Sequence, residues 1–227
     1  GSRSVAIGFE ALKTQNPGSA VDMYNVGIGF NAGQQITTGT HNTIMGGIAG
    51  DALTTGQANV VIGYAAGSVG DNWSRCVAIG RAALGNHNPS GTTAVVTANT
   101  AIGYDALTTC NTGTNNTSIG YQSGQRLQGG DNNVFVGLQS GDNIVAGDNN
   151  VAVGKHSLHG VAGSLNTAIG ESAGVGVTGS TNTLVGAGAG SNGSFSGSGN
   201  TFMGRNAGSA VTSGNNNIFI GNAVGPA

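Results

Sequence analysis

Along the whole chain an aliphatic or β-branched residue, a variable residue, a second aliphatic residue and a glycine recur in that order. Val26-Gly27-Ile28-Gly29, Thr43-Ile44-Met45-Gly46 and Thr183-Leu184-Val185-Gly186 are examples. The motif glycines are Gly8, Gly29, Gly46, Gly63, Gly80, Gly103, Gly120, Gly137, Gly154, Gly170, Gly186, Gly204 and Gly221, separated by 21, 17, 17, 17, 23, 17, 17, 17, 16, 16, 18 and 17 residues. Residues two apart share one face of a strand, and self-similarity at a fixed short period marks a solenoid. The pattern predicts an all-β parallel solenoid of 13 coils, with residues 1–227 forming a single domain.

The remaining columns fill in the coil. Three residues before each glycine stands Val, Thr or Ile, and one before stands Ile, Val or Met. The residue between them ranges from Gly27 to Phe135, so that column is expected to face solvent or a partner chain. Three residues after the glycine comes Ala or Ser in twelve of the thirteen copies, which implies close backbone approach and a flat, small face suited to lateral association. Gly or Leu follows, marking a corner. A second, shorter strand is expected around Ile36, Leu53, Leu127, Ile144 and Val211, with Val161 and Val177 shifted by one, and turn glycines such as Gly39 and Gly130 close the coil.

Asparagine stands four residues before the motif glycine in eleven copies, including Asn42 and Asn99. Stacked Asn side chains hydrogen-bond from coil to coil, so this column is structural. The same reading covers Gly46, Gly63 and Gly120, since glycine tolerates positive φ at corners.

Composition removes several classes of function. Charged residues make up 7% of the chain and the formal net charge is −2, so there is no basic field for nucleic acid. No apolar run is long enough to span a membrane. The 44 glycines with many Asn, Ser and Thr fit a flexible linker in composition, but the fixed apolar spacing argues against one. Gly1-Ser2 reads as a cloning remnant, and the chain as a piece of a longer fibre protein.

The strings SVAIG, CVAIG, NTAIG, NVAVG, NTLVG and NTFMG, each followed by two residues and then Ala or Ser, resemble the head repeats of YadA-like trimeric adhesins, found also in phage tail fibres and mosaic adhesive trimer fibres. The resemblance runs from Ser4 to Gly225. It implies a left-handed parallel β-roll, a homotrimer, an extracellular location on a bacterial surface or phage tail, and attachment to a glycan or protein on a target cell. The period here is longer than that of the best-known adhesin heads, which favours the fibre relatives.

Recognition chemistry is expected where the period breaks. Insertions fall at 13–24 and 85–98, the second including Asn88-Pro89-Ser90-Gly91. One coil before it lie Asp71, Asn72, Trp73 and Arg75, and the register brings Trp73 close to His87 and Asn88. An aromatic with amide and charged neighbours suits stacking on a neutral sugar. Asp131 and Asp148, one coil apart, are weak candidates for a cation, as are His156 and His159. No cofactor is expected. Cys76 replaces a ladder Asn and Cys110 an inward apolar residue, too far apart for a disulfide, and the scattered histidines offer neither a base. An enzyme is therefore disfavoured. Thr37-Thr38 and Thr54-Thr55 form a Thr ladder too short for an ice-binding array. The competing reading is a passive shaft whose binding tip lies elsewhere.

Overall fold

The computed structural model describes residues 3–18, 20–89, 93–160 and 163–225. Gly1-Ser2, Ser90-Gly91 and Val161 therefore lie outside the described residues. The protein is an all-β parallel solenoid of about 12 turns of roughly 17 residues. Thirteen motif strands bound those turns, so the repeat count exceeds the count of complete turns by one.

Contacts group the chain into two compact units, Gly1–Asn116 and Thr117–Ala227. The first carries β1 (Val5–Ile7), β2 (Val26–Ile28), β3 (Thr43–Met45), β4 (Val60–Ile62), β5 (Trp73–Ser74), β6 (Val77–Ile79), β7 (Val95–Val96) and β8 (Thr100–Ile102). The second carries β9 (Thr117–Ile119), β10 (Val134–Val136), β11 (Val151–Val153), β12 (Thr167–Ile169), β13 (Thr183–Val185), β14 (Thr201–Met203) and β15 (Ile218–Ile220). Within each unit, equivalent positions of successive coils pair in parallel, as in Val26↔Thr43 and Thr183↔Thr201.

The strands sit where the motif places them, but their faces are reversed from the sequence expectation. In almost every coil the variable middle residue points inward and is buried, as for Ile44, Val61, Phe135 and Phe202, while the β-branched columns on either side face out. A three-residue strand in so narrow a coil has room for one inward side chain. Ala32, Ala49, Ser123 and Ala173 of the Ala/Ser column are also fully buried, so that column lines the core and is not a face for lateral association.

The inward residue and the corner residue share one volume. Leu stands at the corner in four coils, and each has Ala at the middle of the strand: Ala6 with Leu12, Ala78 with Leu84, Ala101 with Leu107 and Ala152 with Leu158. Where the strand residue is large, the corner is glycine; a Cβ on Gly141 would lie 2.6 Å from the Phe135 ring. The corner itself is left-handed in both cases, with φ of 50° at Leu12 and 62° at Gly141. Hydrogen bonds to the next coil offset that strain, for example from the Leu12 N–H to the Ala32 carbonyl at 3.0 Å.

The expected second strand is not regular β structure. Ile36, Leu53, Leu127, Ile144, Val177 and Val211 do point inward and are buried, but among the described residues only β5 and β7 pair as strands on that side. Elsewhere the backbone is held by inter-coil bonds such as Thr37 N–H to Thr54 C=O at 3.0 Å.

The Asn ladder forms as expected. The buried Asn42 receives its bond from the Asn59 N–H at 3.1 Å, and its own amide donates to Asn25 Oδ1 at 3.2 Å and to the Gly56 carbonyl at 2.9 Å. Asn99 does the same work for Asn116 and Gly113. The motif glycines are required by close approach: a Cβ on Gly46 would stand 2.6 Å from the Gly63 carbonyl oxygen, and Gly63 and Gly120 face the next coil in the same way.

Candidate functional site

The segment Asp71 to Arg75 departs most from the regular coil. In the column that holds Ile36 and Leu53 in the preceding coils, this coil has Gly70 and so supplies no inward side chain there. Trp73 fills the space instead. Its indole is fully buried against Gly67, where a Cβ would come within 2.6 Å of the ring, and meets the His87 ring edge-on at 6.0 Å. Trp73 and His87 are thus neighbours, as the register predicts, but inside the core. They offer no stacking platform for a sugar. Asn72 is buried as well.

His87 occupies the inward column that carries Cys110 one coil later. Its Nδ1 lies 2.9 Å from the Cys110 carbonyl, so it carries the proton, and Nε2 lies 2.9 Å from Thr97 Oγ1. Thr97 Oγ1 in turn lies 3.0 Å from Cys76 Sγ, and Cys76 accepts the Asn99 N–H at 3.3 Å. The sequence places the histidines on scattered coils; the structure brings His87 to Cys76, though only through the Thr97 hydroxyl. Burial holds the His87 ring below its usual pKa, offset in part by the Cys110 carbonyl, and burial pushes the Cys76 thiol up. A neutral imidazole and a protonated thiol, both sealed inside, substitute for the missing ladder Asn and have no opening to a substrate. Both cysteines are free thiols.

The same segment leaves Asp71, Arg75 and Asn88 exposed, on two separate hollows. One, of about 550 Å³, is bordered by Gln35, Ala52, Thr54, Gly70, Asp71, Asn88 and Pro89. The other, of about 300 Å³, is bordered by Gln57, Ala58, Ser74, Arg75, Ala94 and Val96. Of the six predicted ligand-binding residues, the structure therefore brings Asp71 and Asn88 together, sends Arg75 to a different hollow, and buries Asn72, Trp73 and His87. Comparison with protein-family models, curated proteins and solved structures finds no match.

The other candidates have structural partners. Asp148 Oδ1 accepts the Asp131 N–H at 2.8 Å, and Ser164 Oγ accepts the Asp148 N–H at 3.0 Å, so the carboxylate caps a turn in a column that later uses serine. The His156 and His159 rings lie 5.6 Å apart with their planes tilted by 58°; His156 Nε2 bonds to Gln139, and His159 Nε2 lies 3.6 Å from a carboxylate oxygen of the buried Asp142. Burial raises the Asp142 pKa, with His159 acting against it. Among the described residues no three His, Cys, Asp or Glu side chains gather as a metal site. The Thr37 and Thr54 hydroxyls donate to carbonyls of the next coil.

One feature escaped the sequence reading. The residue after the motif glycine forms an exposed column that is aromatic through much of the first unit. Phe9 and Phe30 stack at 5.5 Å, Tyr64 is 58% exposed, and the Arg81 guanidinium lies 5.0 Å over the Tyr104 ring. The signal was present as Gly8-Phe9, Gly29-Phe30, Gly63-Tyr64 and Gly103-Tyr104.

Proposed function

We propose that the chain is an extracellular fibre module that assembles as a homotrimer and attaches to a glycan or protein on a target cell. One observation carries the reading: in each unit the outward strand column just before the motif glycine is apolar and repeats coil after coil. Ile7, Met45, Ile119, Ile169, Met203 and Ile220 all stand exposed on it, flanked in the first unit by the aromatic column. A face that long and regular is costly to leave in water, and a second copy with the same axial repeat matches it at every coil. Attachment then falls to the irregular surface around Asp71 and Asn88. The module is read as binding rather than catalytic, because the Cys76, Thr97 and His87 polar atoms are spent on one another inside the core.

The experiment is a solution mass at micromolar concentration together with a cell-attachment assay. Three copies of the 22.1 kDa chain are expected, dissociating on Ile119→Lys or Ile169→Lys. A wild-type monomer sinks the trimer. The regularity of the second unit supports the alternative of a passive spacer. That alternative wins if a longer fibre attaches to target cells and this trimer does not.

A further inference from the structure

We propose that the hollow over Gly70 is an oligosaccharide site selective for sugar chains without acidic groups, a reading that rests on the adhesive function proposed above. Its borders come from four successive coils, those following Gly29, Gly46, Gly63 and Gly80. At ~4.8 Å per coil the site runs about 14 Å along the stack, which suits several linked rings rather than one.

Of the apolar residues around the hollow, Ala52 is half-buried and Gly70 and Pro89 are buried, so a ligand meets a mainly polar surface suited to sugar hydroxyls. Gln35 and Asn88 add amide donors and acceptors. The Thr54 hydroxyl donates to the Asp71 carbonyl at 3.0 Å and so turns its lone pairs to a ligand hydroxyl.

Charge supplies the selectivity. Asp71 is the one ionisable side chain among the lining residues, and it is exposed there. Its carboxylate accepts hydrogen bonds from sugar hydroxyls or a sugar ammonium. A sialyl or sulfate group meets like charge instead, and Arg75, which would offset it, borders the other hollow.

The test is a glycan array followed by titration calorimetry on the full chain. The probes are neutral N-acetylated oligosaccharides, their free-amine forms, and their sialylated and sulfated counterparts. Wild type is expected to favour the first two by roughly tenfold over the anionic probes, and Asp71→Asn to close most of that gap by strengthening the anionic probes and weakening the free-amine ones. Fluorescence of the buried Trp73 reports that the variant is folded. Anionic probes bound as well as neutral ones by wild type overturn the selectivity and leave the adhesive reading standing. If wild type attaches to target cells through a protein and binds no glycan, the oligosaccharide site is overturned while adhesion survives; if it attaches to nothing, both fall.

Discussion

In the second unit the Asn ladder runs unbroken from Asn133 through Asn150, Asn166, Asn182 and Asn200 to Asn217, each side chain accepting the N–H of the next. In the first unit it stops at Asn59. Cys76 takes the next position, and the ladder resumes only at Asn99. At that break the core exchanges an aliphatic residue for Gly70, recruits Trp73, and admits His87 and Thr97, and the longest interval between motif glycines, 23 residues, follows. The larger surface hollow opens over the same coils. The inward columns thus set how much irregularity a coil tolerates. The first unit breaks its period twice, after Gly8 and after Gly80, while the second keeps intervals of 16 to 18 residues and varies its inward residues only in step with their corners.

The largest effect separating the two units should come from Trp73→Ala. It leaves a cavity where Gly70 supplies no side chain, and about 3–5 kcal/mol of stability should be lost. Hydrogen exchange read by mass spectrometry should show protection falling in peptides of the first unit. Trp73→Phe gives up an N–H with no acceptor among the described residues and should cost much less. A Trp73→Ala protein as stable as wild type would mean that the indole is not a core element.

The reciprocal test belongs to the second unit. Gly141→Leu drives a side chain into the Phe135 ring and should cost about 1–3 kcal/mol or more. Adding Phe135→Ala recreates the Ala and Leu pairing of Ala152 with Leu158 and should recover much of the loss in a double-mutant cycle. Purely additive losses would show that corner and strand do not share a volume.

That pairing explains why so much of the fold, and so little of the site, was legible in the sequence. The period located every motif strand because β-branched pairs and glycines are demanded by the inter-coil ladder in each turn. Along the strand, uniformity suggests burial, and the structure shows the reverse. Ile7 and Met45 are uniform because one outward face repeats, whereas Ile44 and Phe135 vary because each is matched to its own corner. Trp73 stands in the column of the turn glycines Gly39 and Gly56, a position that by itself suggests the surface. The clue to its burial was Gly70 three residues earlier, an absence in the inward column that only packing makes meaningful.

Acidification should act with opposite sign on two buried groups, His87 in the first unit and Asp142 in the second. The His87 pKa is held below its ordinary 6.5 in the folded state, so the unfolded chain binds the extra proton first and the stability it contributes is lost as pH falls below about 6.5. The slope is at most about 1.4 kcal/mol per pH unit. Asp142 in the second unit is raised above its ordinary 3.8, so the folded state takes up the proton first and stability there rises as pH falls toward 3.8. The chain's one tryptophan makes fluorescence melts a reporter of the first unit. Its midpoint should drop between pH 7 and 5, and His87→Leu should flatten the trend. An unchanged slope in that variant would assign the titration elsewhere.

The smallest expected effect tests whether the second unit is only lattice. Asp148 caps the Asp131 N–H at 2.8 Å, and one coil later Ser164 does the same for Asp148 at 3.0 Å. If the carboxylate serves only as that acceptor, Asp148→Ser should change stability by less than about 0.5 kcal/mol in urea titrations. Calcium chloride should then leave both midpoints in place. A midpoint that rises with calcium in wild type and not in the variant would mean that the stacked carboxylates at Asp131 and Asp148 hold a cation. The second unit would then carry a site of its own, and the contrast with the first would lie in the kind of ligand rather than in its presence.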